Sequence, residues 1–216
     1  MQAKSPPTLW SGQGFHLPCL VGLLMLVGLT WNQMGQPLPL AFWTAVAFPI
    51  AHQLFVWLAW RLELNSGATS RVIGYGVYLC IFFALFGGRF LSLAALAWLD
   101  AGSLGVPPTT RIALTALLAL PAAYALYSVH RYFGLKRAAG ADHFIPSYRD
   151  LPLVKDGIFR FTNNGMYCFA FLIFWAIAIG FNSSAALVVV AFSHPYIWVH
   201  YFAVEKPDMR FLYSRT

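Results

Sequence analysis

Charge is what this sequence has least of. Only 10% of its 216 residues are Asp, Glu, Lys or Arg, while 59% are hydrophobic. A soluble domain carries about 25% charged residues. A chain this poor in charge cannot cover a water-facing surface, so the bilayer must be its solvent. Cysteine is also scarce. Cys19, Cys80 and Cys168 each sit in an apolar run, and none shares a CxxC or Cys/His spacing. That argues against a disulfide framework and against a zinc site. The HxxxH and HExxH spacings of metal-binding helices are absent as well, so no metal is expected. No basic patch stands free of the apolar segments, so no nucleic acid is expected. Nothing speaks to oligomeric state, and no repeat stands out. Lys4 alone precedes the first apolar stretch, as in a signal peptide. With no small-residue cleavage site after Leu29, that stretch is expected to stay as a first helix.

What is abundant is long apolar runs, at about Leu17 to Trp31, Leu38 to Trp60, Val72 to Leu99 and Ile112 to Val129. A bilayer core of roughly 30 Å needs about 20 such residues per helix. A polar stretch, His130 to Asn164, follows. Then an apolar run from Gly165 to Val204 is broken at Gly180-Phe181-Asn182-Ser183-Ser184, a turn signal. Its arms, Met166 to Ile179 and Ala185 to Val204, fit a helical hairpin. The expected fold is an all-α integral membrane protein with about four transmembrane helices and a C-terminal helical hairpin. It divides into N-terminal helices (1–129) and a region of polar loop, helical hairpin and tail (130–216). Strands are not expected, because open sheet edges cannot face lipid.

Charge placement orients the helices. Twelve of the fourteen Lys and Arg fall on the side of the N-terminus; Arg111 alone falls opposite, and Arg89 lies inside the third run. The positive-inside rule then puts both termini and the His130–Asn164 stretch in the cytoplasm. The +7 net charge reads as topology and contact with anionic lipid. Trp31, Trp60 and Trp98 near the run ends form the usual interfacial belt.

Polar residues inside apolar runs are costly and face a cavity or a partner. Arg89, in Gly87-Gly88-Arg89-Phe90, needs such a partner: a lipid phosphate, Asp100 or a helix carbonyl. His52, near Pro49, reads as a packing histidine. The tail collects His194, His200, Glu205, Lys206 and Asp208 within fifteen residues. His194 and His200 are six apart and so not on one α-helical face, whereas Tyr201 and Glu205 share one. Asn163-Asn164-Gly165 ahead of an apolar helix reads as a turn and N-cap, a place suited to an anionic group.

Gly157-Ile158-Phe159-Arg160-Phe161-Thr162-Asn163-Asn164-Gly165-Met166-Tyr167 resembles the "G-P-Y-R-Y-x-R-H-P-M-Y" signature of isoprenylcysteine carboxyl methyltransferases and their relatives. Phospholipid N-methyltransferases carry Asn at the His position, as Asn164 does here. Glu205-Lys206-Pro207, with Tyr213 beyond, resembles the "E-E-P … Y" ending of phosphatidylethanolamine N-methyltransferases. The resemblance covers roughly Tyr124 to Thr216. Asn163 departs from the family's Arg, Gly165 from its Pro, and Lys206 from its second Glu.

The resemblance implies methyl transfer from S-adenosylmethionine to the amine of phosphatidylethanolamine or its partly methylated forms, at the cytoplasmic membrane face. Two other readings fit the same scaffold: a methyltransferase acting on another lipophilic acceptor, of the isoprenylcysteine carboxylate type, and a non-catalytic membrane protein. For the cofactor it implies contacts from Asn163, Asn164, Gly165, Tyr167, Glu205 and Lys206. A proton must leave the amine, and His194, His200 or Glu205 is expected to accept it. Arg89, Trp198 and Tyr201 are expected to hold the lipid, whose head group enters sideways. That gap is expected beside the final hairpin, lined by His194, Trp198 and Tyr201, with the His130–Asn164 stretch as a cover.

Overall fold

The computed structural model describes residues 5–213. Lys4 and Arg215, two of the basic residues counted above, lie outside the described residues. Among those described there is no strand. In chain order the main helices are α1 (Gln13–Gln33), α2 (Pro39–Ser66), α3 (Gly74–Leu99), α4 (Pro108–Phe133), the shorter α5 (Met166–Gly180) and α6 (Ser184–Leu212). All but α5 are long and apolar enough to cross a membrane. The expected spans and C-terminal hairpin are the architecture found.

The helices form because the runs are apolar and start well. Pro39 and Pro108 open α2 and α4, where a missing N–H costs nothing. Pro18, Pro49 and Pro195 lie inside helices, which lipid-embedded bundles tolerate when neighbours satisfy the freed backbone groups. In α1 the buried residues are Gln13, His16, Leu20 and Val27, while Val21, Met25, Leu26 and Leu29 face outward. That single inward stripe packs on α6. There His16 Nε2 meets the Tyr196 hydroxyl at 3.2 Å. α2 packs on α3 and α6, and α5 packs on both α3 and α4. The consecutive helices α3 and α4 are held apart, with α5 between them.

The two ends are built differently. At one end the Asp100 carboxylate gathers the α5–α6 turn. Its Oδ2 accepts hydrogen bonds from Ser183 Oγ (2.7 Å), Ser103 Oγ (2.6 Å) and the Ala185 amide (2.9 Å). Ser183 caps α6 by accepting from Ala186 N. Asp100 is therefore not the partner of Arg89, which was one of the expectations for that residue.

At the other end Arg61 is fully buried and ties three segments together. It donates from Nη1 to Thr8 O (2.9 Å) and pairs through Nε with Asp208 Oδ1 (3.0 Å). Its Nη2 reaches the carbonyls of Ala203 and Val204 at 3.3 and 3.4 Å. The chain before α1 comes close here: Gly12 has φ 86°, and a Cβ would run into the Ala203 carbonyl. The polar stretch between α4 and α5 folds over this end as short helical turns at Leu135–Ala138, Ala141–Phe144, Pro146–Tyr148 and Gly157–Arg160. It is pinned by Ser128 Oγ, which accepts from Ile158 N at 3.0 Å.

Candidate active site

Three π-helical turns interrupt the helices, at Val129–Phe133, Met166–Ala170 and Tyr201–Glu205. They change which residues share a face. An α-helix aligns residues three and four apart, whereas a π turn closes i to i+5 and is frequent at functional sites. Lys206 N donates to Tyr201 O in the last of them. That longer step brings Glu205 to the same side as His200, five residues earlier. The carbonyls of Ala203 and Val204, inside this turn, are the ones Arg61 binds.

His200 and Glu205 line one cavity of about 180 Å³. Its walls come from both halves of the chain. His52, Gln53 and Trp60 are contributed by α2; Phe82, Phe86 and Arg89 by α3. Leu126 and Val129 come from α4, and Met166, Tyr167 and Phe171 from α5. Leu135 and Ala138 of the polar stretch also border it. Phe83 and Leu126 line the cavity and are also exposed on the outer surface. They lie on α3 and α4, which α5 holds apart, and Leu135 of the polar stretch is an exposed lining residue as well.

Each expected site residue has a definite place. Tyr167, in the second π turn, donates its hydroxyl to Glu205 Oε2, so the two motif blocks meet across the hairpin. His200 is 2% exposed, and neither ring nitrogen has a protein hydrogen-bond partner. Arg89 is 4% exposed, with Nη1 3.3 Å from His52 Nδ1 and its guanidinium over the rings of Phe171 and Phe174. These four expected residues, Tyr167, Glu205, His200 and Arg89, come together at the cavity.

The others do not line it. His194 stacks on Phe171 and uses both nitrogens. Nδ1 accepts from Trp175 Nε1 (3.0 Å), and Nε2 bonds the Tyr167 carbonyl (2.9 Å). An indole N–H only donates and a carbonyl only accepts, so the proton sits on Nε2 and no lone pair is left over. Trp198 and Tyr201 pack edge-on against Tyr167, and Lys206 Nζ lies over the Phe202 ring. Asn163 is exposed and Asn164 half-buried at the start of α5. Gly165 is buried where a Cβ would sit 2.8 Å from Ile158 Cγ2. The hairpin lines the cavity through Tyr167, Phe171, His200 and Glu205 rather than through the expected His194, Trp198 and Tyr201. His194, Trp198 and Tyr201 are tied up with neighbours within that hairpin.

His52, Gln53 and Trp60 were not expected at the site. The signal for the first two was present: adjacent polar residues in an apolar run, 4% and 2% exposed here. Trp60 stacks on His143 at 4.0 Å between ring centroids. His143 lies in the polar stretch, with Nδ1 3.0 Å from Asp142 Oδ1 and Nε2 3.5 Å from Asp208 Oδ2. Burial alone would lower its pKa, but the hydrogen bonds to Asp142 and Asp208 outweigh burial and push it up to about 9. Burial likewise works against the Asp142 carboxylate. The His143 and Tyr213 hydrogen bonds win there and hold it below its ordinary value. This buried cluster anchors Asp208, three residues beyond Glu205, to the polar stretch.

A family model described as phospholipid methyltransferase matches residues 110–216. No curated protein and no solved structure matches the chain. The matched residues carry Tyr167, His200 and Glu205, the polar stretch and the whole hairpin. Through residues 110–216, the chain belongs to the phospholipid methyltransferase family.

Proposed function

We propose that the cavity is the chamber in which a methyl group passes from S-adenosylmethionine to the amine of phosphatidylethanolamine or its partly methylated forms. The family match supports phospholipid methyltransferase activity in general. One observation carries the finer reading. Glu205 and Tyr167, one from each motif block, meet on the wall of an aromatic cavity beside a buried His200 whose ring nitrogens are unpartnered.

The residues present fit a cationic methyl donor. Among the described residues, Tyr167 gives the one protein hydrogen bond to the Glu205 carboxylate, which leaves capacity for a ribose hydroxyl or an ammonium group. The ring faces of Trp60 and Phe86 suit a sulfonium or alkylammonium, at about 0.5–2 kcal/mol per contact. Asn163 and Asn164 stand at the start of α5, toward the polar stretch, where a water-borne donor would arrive. When bound, S-adenosylmethionine supplies an electrophilic methyl carbon.

The chain's own residues do the rest. Apolar walls exclude water and hold the reacting groups in line, which is where most of the rate gain lies. The nitrogen–carbon bond forms as the sulfur–carbon bond breaks, and the amine must first give up a proton. His200 receives it on a free ring nitrogen; His194 has none to offer. In this reading the lipid head group enters from the bilayer between α3 and α4, past the exposed Phe83 and Leu126, and the polar stretch covers the chamber at the cytoplasmic face.

The test is methyl transfer by the purified chain in mixed micelles of phosphatidylethanolamine, with radiolabelled donor. Label is expected on phosphatidylethanolamine or its methylated forms. Label on a prenylcysteine methyl ester or a small soluble amine, and never on these lipids, refutes the reading.

A further inference from the structure

Three residues that line the cavity carry buried hydrogen-bond donors with no protein partner. His52, Gln53 and Arg89 all line it, and each is 4% exposed or less. Arg89 Nε, His52 Nε2 and Gln53 Nε2 have no protein partner. Arg89 is charged under all ordinary conditions. Its polar contact is His52 Nδ1, and its other neighbours are the Phe171 and Phe174 rings. Acids are engaged elsewhere: Asp100 at the α5–α6 turn, Asp208 with Arg61, and Glu205 with Tyr167. Aromatic faces ease a buried cation but do not neutralise it, and an intramembrane arginine without an acid is a standing cost.

The tautomer of His52 follows from its contact. A guanidinium only donates, so Nδ1 accepts and the neutral ring carries its proton on Nε2. His52 Nε2 is thus a free donor, as is the Gln53 amide. One cation and two neutral donors around one cavity complement an oxyanion.

We propose that Arg89, His52 and Gln53 form a buried oxyanion subsite. Its identification with a reactant rests on the chamber being the methyl-transfer site. Two groups present there have this chemistry: the phosphodiester of the lipid and the carboxylate of the methyl donor. All three residues fall outside the matched residues 110–216, so the family match does not assign this subsite.

Binding to the full chain in neutral detergent separates the sources without needing turnover. One arm compares dihexanoylphosphatidylethanolamine with the 2-aminoethyl ether of dihexanoylglycerol, which keeps the amine and lacks the phosphate. The other compares S-adenosylhomocysteine with its decarboxylated counterpart. Removing the oxyanion is expected to weaken binding at least tenfold in one arm, and that arm names the source. Arg89→Met should lose the same factor for the intact ligand, and Arg89→Lys should restore part of it. If both ligand pairs bind wild type within twofold of each other, the subsite does not exist. That comparison stands even if Arg89→Met fails to fold. Arg89→Met binding both intact ligands like wild type also overturns the proposal and leaves Arg89 a packing residue. A chain that discriminates the oxyanion but never methylates lipid refutes the functional reading alone. A chain that methylates lipid while ignoring the oxyanion refutes the subsite alone.

Discussion

At the scale of single residues, two histidines six positions apart have opposite circumstances. His194 spends both nitrogens on Trp175 and the Tyr167 carbonyl, while His200 spends neither. His194→Ala leaves two half-buried polar groups unpaired, at about 1–3 kcal/mol each. It should therefore lower the unfolding midpoint in detergent, with turnover falling only as the folded fraction falls. His200→Gln should keep the fold and donor affinity while lowering kcat by about 10²–10⁴, the range of a lost general base. Equal kcat for wild type and His200→Gln would remove His200 from the proton path. Sequence alone could not separate the pair, because both are polar residues in one apolar run. The difference lies in Trp175, nineteen residues away and across the hairpin turn. Arg89 and Glu205 were legible because charge inside a membrane segment is conspicuous. His52 was not, because a histidine beside a proline has an ordinary packing explanation, and what makes it unusual is a contact with α3.

At the scale of elements, the apolar runs announced the helices and the Gly180–Ser184 break announced the hairpin. The π turns left no such mark. No residue type demands one, and their hydrogen bonds are completed by partners distant in sequence. Arg61 is such a partner, holding two carbonyls of the Tyr201–Glu205 turn and the Asp208 carboxylate. Arg61→Met removes the closer of the two cationic partners of the buried Asp208 carboxylate and leaves His143 Nε2 at 3.5 Å, at a cost of up to about 3–5 kcal/mol. The variant should show a sharply lower thermal midpoint, and any folded fraction should lose donor affinity as Glu205 shifts. The double variant Arg61→Met/Asp208→Leu should recover stability but not affinity.

The neighbouring His143 adds a pH dependence. Its folded pKa of about 9 stands above the ordinary 6.5, so its stabilisation is complete below pH 6.5 and is lost as pH rises through about 9. Asp142, held below its ordinary value, stabilises above that ordinary value and fails as pH falls through the lowered one. Thermal midpoints should therefore decline from pH 6.5 to beyond 9, and His143→Gln should flatten that decline. An unchanged slope would show that the cluster contributes nothing.

At the scale of the whole molecule, the matched residues 110–216 do not close the chamber by themselves. Helices α2 and α3 supply His52, Gln53, Trp60, Phe82, Phe86 and Arg89 to its walls. The division at 129 expected from sequence is a change in composition, and the cavity runs across it. The two ends of the bundle also differ in kind. One carries the tight turns at Gly35 and Gly102 and the Asp100 hub, with Gly102 N bonded to Phe181 O. The other gathers the start of the described chain, the end of α2, the polar stretch and the end of α6 around Arg61, Asp208 and His143. Exposed Arg131, Lys136, Lys155, Arg160 and Arg210 lie toward this second end, whereas Arg111 lies toward the first. We propose that the bundle sits with this basic end in the cytoplasm, since each basic residue near an anionic surface contributes about 1 kcal/mol. That proposed orientation would also put the chamber on the side from which the proposed methyl donor is supplied. Gln36 and Lys155 are both exposed, one at each end. In a cysteine-free background within intact cells, a membrane-impermeant thiol reagent should label Gln36→Cys directly. It should label Lys155→Cys only after the membrane is opened. The reverse pattern would place the polar stretch and Glu205 on the outer face, away from any cytosolic donor, and the proposed reaction could not run in this geometry.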